Sequence, residues 1–205
     1  MLGQNILMTL ASAALALAAT PLESGNWNSV DPSFSVQTCA GGYNSGGYFQ
    51  IPTSPSGSTS GSGCSNGHLR SERRYNNDYS TGVHQFAGTF NIQSMTGDRI
   101  AIKQTFNGNT GPYFILGLQK DGTLYNVEGG QVIATGIKVG QDVVINTVHN
   151  ADIHRFSVYV NGVERYRDNN APGGSFYDKL GAYTTNSGTG ALGIHWEDVA
   201  FWTRA

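Results

Sequence analysis

An all-β sandwich is the fold that this 205-residue sequence predicts, and three observations predict it. Charged residues are scarce at 13% while glycine is plentiful at 28 residues, a balance unlike that of amphipathic surface helices. Short β-branched and aromatic runs recur between Gly, Asn and Asp, and no run carries helical periodicity.

The runs fall at 70–74, 84–92, 99–106, 113–119, 143–148, 156–160, 181–183 and 193–202. Asp121-Gly122 and Asn161-Gly162 are expected as hairpin turns of the type I′ class. About ten strands at short spacing predict two stacked antiparallel sheets, arranged as a β-jelly roll with a concave groove for substrate. The segment at 53–67, TSPSGSTSGSGCSNG, has too little apolar surface to pack and is expected as a long surface loop.

The N-terminus reads as a targeting segment. Residues 6–19 are apolar apart from Thr9 and Ser12, with small residues at Ala16 and Ala18. The run is too short to span a bilayer, so residues 1–18 are expected as a signal peptide and 19–205 as one domain. A secreted, extracellular protein follows. In that compartment Cys39 and Cys64 are expected to pair, closing a loop of roughly 25 residues and stabilising the fold by about 3 kcal/mol in the chain-entropy model. The net charge of −2 sets up no field that would draw in nucleic acid, and no apolar run follows that would span a membrane. A monomer is expected. A polyanionic partner would have to be met by a local basic patch.

Three segments concentrate reactive side chains. In 70–74, Arg70, Glu72 and Arg74 share one strand face as a +/−/+ row. Such a row is either a solvated edge strand or a preorganised set of cations held by Glu72. The second segment is Lys103-Gln104-Thr105-Phe106. If Gln104 faces a groove, strict alternation sends Ile100 and Ile102 the same way and Lys103 into the core. A bulge near Lys103, or the end of the groove sheet there, would resolve this conflict. In the third, 177–183, Tyr177, Lys179, Gly181 and Tyr183 point one way while Leu180 and Ala182 point the other. Gly181 is expected to leave an open spot beside the Tyr183 phenol.

In order, RSERR, QTF and YDKLGAY resemble RSELR, QIH and YFKAGVY of the alginate lyase family, polysaccharide lyase family seven, and its relatives the glucuronan lyases. The stretches GLQKDGTLYN at 117–126 and FSVYVNGV at 156–163 are similar to strands of that family, so the resemblance spans 69–204. It implies a jelly roll and β-elimination on an acidic polysaccharide, a β-1,4-linked polyuronate. Arg70 and Gln104 would neutralise the uronate carboxylate, making the C5 proton removable. Tyr183 would be the acid and base. Lys179 would sit beside its phenol, with Arg74, Glu72 and Tyr177 completing the substrate site.

Phe106 stands where the family pattern has His. In β-mannuronate and β-glucuronate, H5 and the O4 leaving group lie on the same side, so one Tyr can serve both. In α-guluronate they lie on opposite faces and need two groups. The departure therefore points to a mannuronate- or glucuronate-containing polymer. His84 is the candidate replacement, if the strand before Gln104 lies beside it. The alternative function is a non-catalytic, lectin-like module for acidic polysaccharides. A glycosidase reading fares worse, because Glu197 and Asp198 are adjacent and a strand would turn them to opposite faces. No cluster of Asp and Glu requires a metal and no cofactor is expected, although the likeness to glucuronan lyases makes a structural calcium worth testing.

Overall fold

Alternation builds the core: Phe114, Leu116 and Leu118 enter it from one side, and Val143, Ile145, Phe156, Val158 and Val160 from the other. The computed structural model describes residues 20–60, 64, 68–184 and 189–204, so the expected signal peptide lies outside the described residues. Four strands precede the low-complexity loop: β1 (Asn28–Val30), β2 (Phe34–Cys39), β3 (Tyr43–Ser45) and β4 (Tyr48–Ile51). After it come β5 (Arg70–Tyr75), β6 (Val83–Met95), β7 (Arg99–Asn107), β8 (Gly111–Gln119), β9 (Leu124–Asn126) and β10 (Val132–Ala134). The rest are β11 (Asp142–Asn150), β12 (Arg155–Val160), β13 (Val163–Asp168), β14 (Phe176–Tyr183) and β15 (Leu192–Arg204).

One sheet has the order β13-β12-β11-β6-β15-β4-β3, with β1 added to β15; the other has the order β10-β9-β8-β7-β14-β5-β2. All pairings are antiparallel. The expected all-β jelly roll of two sheets is what the chain forms. Cys39 and Cys64 are bonded, with Cα atoms 5.1 Å apart. Asn161 and Gly162 both take positive φ, 50° and 77°, as a type I′ hairpin requires. The other turn is different. Of Asp121 and Gly122 only the glycine has positive φ, and the pair sits in a longer loop closed by Gln119 N–H to Thr123 O.

The conflict around Gln104 is resolved by a bulge. The β7–β8 register shifts between Ala101 and Lys103, and the β14–β7 register shifts between Leu180 and Tyr183. Ile100, Ile102 and Lys103 are all buried toward the core while Gln104 faces outward.

One buried group makes stability depend on pH. His149 is 1% exposed, its Nδ1 lies 3.1 Å from the Tyr79 hydroxyl, and the rings of Phe156 and Phe176 close around it. Burial pulls its pKa from 6.5 down to about 4, because the charged ring loses its water. The unfolded chain therefore binds this proton first on acidification. The contribution is fully present above pH 6.5 and is lost as the pH falls to 4, a loss of about 3 kcal/mol. Urea unfolding across that range should show the decline, and His149→Phe should flatten it.

Candidate active site

The outer face of the second sheet gathers the three segments. β14 lies between β5 and β7, so Lys179 pairs with both Arg74 and Gln104, Gly181 with Glu72, and Tyr183 with both Arg70 and Ala101. Glu72, Gln104 and Lys179 point away from the core yet are only 2%, 3% and 4% exposed. Polar side chains so covered on the outer side of a sheet lie in a recess, not on an open surface.

Glu72 is the hub. Its Oε1 accepts from the Gln104 amide at 2.5 Å, its Oε2 accepts from Lys179 Nζ at 2.7 Å, and Arg70 Nε lies 3.6 Å from Oε2. One carboxylate thus accepts hydrogen bonds from two strands and ion-pairs with Arg70 on its own strand, tying β5, β7 and β14 together. Arg70 and Lys179 carry two positive charges against the single negative charge of Glu72, leaving this cluster net cationic. Burial lowers the Lys179 pKa, and the Glu72 charge opposes that shift. From β2, Gln37 accepts a hydrogen bond from Arg70 Nη1 at 3.4 Å.

Tyr183 stands at the end of this array. The Arg70 guanidinium carbon lies 4.5 Å above its ring. His68 Nδ1 lies 2.9 Å from the Tyr183 hydroxyl and 2.8 Å from the Thr184 carbonyl oxygen. A carbonyl only accepts, so the contact with Thr184 places the proton on Nδ1. That N–H also faces the phenol oxygen. On the far side of Lys179, Tyr177 stacks on Phe106 at 5.1 Å and is covered by Arg74 at 4.1 Å.

Solved structures share this architecture. A family 7 alginate lyase, A1-II′, doubly substituted and in complex with its substrate GGMG, aligns at a TM-score of 0.64 and 16% identity, over 83% of this chain and 92% of that one. The marine family 7 alginate lyase AlyA1 from Zobellia galactanivorans aligns at 0.62 and 13% identity, over 94% of this chain and 100% of that one. The alginate lyase from a Corynebacterium species aligns at 0.60 and 18% identity, over 77% and 76%. This chain has the fold of the family 7 alginate lyases. At the level of sequence, no family model and no curated protein matches it.

Within that alginate lyase fold, Arg70, Glu72, Gln104, Lys179 and Tyr183 come together as expected, and Tyr177 and Arg74 flank them. Three expectations need correction. His84 is on β6, which belongs to the opposite sheet and pairs with β11 and β15, so it does not lie beside Gln104. Its ring instead stacks on Tyr79 at 3.7 Å, its Nε2 meets the Thr81 carbonyl at 2.8 Å, and burial lowers its pKa.

Gly181 opens no space beside the phenol: a Cβ there would meet Ser71 O at 2.2 Å and the Phe49 ring at 2.9 Å. The missing side chain lets β14 approach the backbone of β5. The third correction concerns the cation on the phenol, which is Arg70, whereas the Lys179 ammonium is engaged by Glu72. Arg74 gives three of its five N–H groups to Tyr75 O, Asn76 Oδ1 and Asp78 Oδ1, at 2.9, 2.6 and 2.6 Å. It braces the Tyr177 wall.

His68 was not among the expected site residues. Its one signal in the sequence is parity: 68, 70, 72 and 74 fall on alternate positions, so a strand extended by two residues turns His68 to the same face as Arg70.

Proposed function

We propose that the recessed face binds a β-1,4-linked polyuronate containing mannuronate or glucuronate and cleaves it by β-elimination. The convergence of Arg70, Gln104 and Lys179 on one carboxylate, beside a phenol contacted by His68, carries this reading. In the reaction, Tyr183 acts as the phenolate, and its oxygen takes the proton from C5 to become the phenol. The electron pair left behind forms the C4–C5 double bond, the C4–O4 bond breaks, and O4 receives a proton from Tyr183. The Gln104 amide has a second N–H beyond the one given to Glu72, and with Arg70 it meets the substrate carboxylate as charge spreads into it. The alginate lyase fold of the chain and the substrate complex of its structural neighbour support a polysaccharide in this recess.

Phe106 cannot carry a proton, His84 is on the other sheet, and His68 Nδ1 is engaged with the Thr184 carbonyl and the Tyr183 hydroxyl. Elimination with H5 and O4 on the same side is the chemistry that one Tyr can serve. Polymannuronate and glucuronan should therefore yield the ultraviolet absorbance of a double bond conjugated to a carboxylate, and polyguluronate should not. Equal absorbance from polyguluronate would overturn the stereochemical argument; none from any of the three would overturn the lyase. The disulfide suits an oxidising compartment, which supports secretion.

His68 acts on Tyr183 through its N–H. Removing one donor from a catalytic oxyanion typically costs about 10²-fold in rate. His68→Ala is expected to lower kcat by that order with KM little changed. An unaltered kcat would remove His68 from the mechanism.

A further inference from the structure

Directly beneath the recess lies an ion pair that the elimination does not use. Lys103 is 0% exposed, and its ammonium donates to Thr105 Oγ1, to Thr147 Oγ1 at 3.1 Å and to Asp178 Oδ1 at 2.7 Å. Three donors meet three acceptors. Thr147 is on β11 of the opposite sheet, so the ammonium joins the two layers. The Phe86 ring lies 5.1 Å away. Two well-packed apolar residues often serve stability as well as a buried pair of this kind, so stability alone is a weak account of it.

Asp178 has a second set of contacts that leads back to the groove. Its Oδ2 accepts from Asn77 Nδ2 at 2.8 Å, and its backbone N–H donates to Asn77 Oδ1 at 3.0 Å. Asn77 is thus held at both ends of its amide by one residue. Its chain neighbours Asn76 and Asp78 hold the two terminal nitrogens of Arg74, and Arg74 covers Tyr177. Tyr177 precedes Asp178 in the chain, which closes the ring of contacts. Asp178 oriented by Lys103 therefore has both oxygens assigned: Oδ1 to the core and Oδ2 to the segment that fixes the aromatic wall.

We propose that the Lys103–Asp178 pair, acting through Asn77, positions the Arg74–Tyr177 wall and so sets the affinity of the groove for a polyuronate chain. The proposal deepens the functional reading above and rests on it. Both residues are positioning residues and neither touches substrate.

Two variants test it on polymannuronate or glucuronan, whichever the wild-type protein cleaves. Lys103→Met with Asp178→Leu removes both charges together, and Asn77→Ala cuts the link while leaving the pair intact. Each should raise KM about tenfold with kcat within about threefold, and the double variant should keep its melting temperature. A folded double variant with wild-type KM overturns the proposal, as does a fall in kcat at unchanged KM. If the double variant does not fold, Asn77→Ala decides by the same criterion. Absence of turnover by the wild-type protein would refute the lyase reading alone. Hydrogen exchange at the amides of Asn76 and Tyr79, which donate to Ser33 O and Phe176 O, then decides: faster exchange in Asn77→Ala is expected, and unchanged exchange overturns the positioning role.

Discussion

Tyr183→Phe is expected to reduce cleavage by about 10³-fold or more while leaving the affinity for polyuronate nearly intact. In the proposed reaction Tyr183 both accepts the C5 proton and returns a proton to O4. Losing a single general acid–base group typically costs 10²- to 10⁴-fold, and this residue is asked to perform both transfers. The phenyl ring remains, so the stack under the Arg70 guanidinium survives. Neither Gln104 nor Lys179 depends on the hydroxyl, since both are held by Glu72. Turnover and a dissociation constant measured on the same variant separate an enzyme from a binding module. Wild-type turnover in the variant would take Tyr183 out of the chemistry.

The second large effect is on stability. Glu72→Ala should destabilise the fold by roughly 3–5 kcal/mol, because removing one partner leaves a buried charge uncompensated. Lys179 is 4% exposed and its ammonium donates to the Glu72 carboxylate. Burial already lowers its pKa with Glu72 in place, so without Glu72 the charged form has still less support. The same substitution frees the Gln104 amide, so any folded fraction should also lose kcat. Glu72→Gln keeps an acceptor for the ammonium and should fall between alanine and wild type in urea unfolding. If Glu72→Ala unfolds at the wild-type midpoint, the hub is not holding the array.

How much of this could be read from the sequence depended on local geometry. The Arg70, Glu72, Arg74 row follows from the period of two alone, and the strand that carries it is interior, flanked by β14 and β2. That placement decides between a solvated edge and a fixed cation row. Lys103 pointed to the core in the sequence, which looked untenable without its partner. The partner, Asp178, is 75 residues away and comes opposite only through the pairing of β14 with β7.

His84 misled because β6 and β7 are consecutive in the chain. Three residues can close a hairpin or arch over to the other layer, and composition does not distinguish the two. The first four strands were not foreseen, since β1 and β3 have three residues each and lack an apolar face. His68 escaped because it lies just before β5, next to the low-complexity segment, and its parity with Arg70 matters only if the strand is extended back by two residues.

The central claim is that the groove breaks a glycosidic bond by elimination. Mass spectrometry of the products from a β-1,4-linked mannuronate or glucuronate oligosaccharide tests it most directly. Elimination predicts two fragments whose masses sum to that of the substrate, one bearing the C4–C5 double bond. Fragments that together gain one water would show hydrolysis, and an uncut substrate would show binding alone; either result contradicts the account.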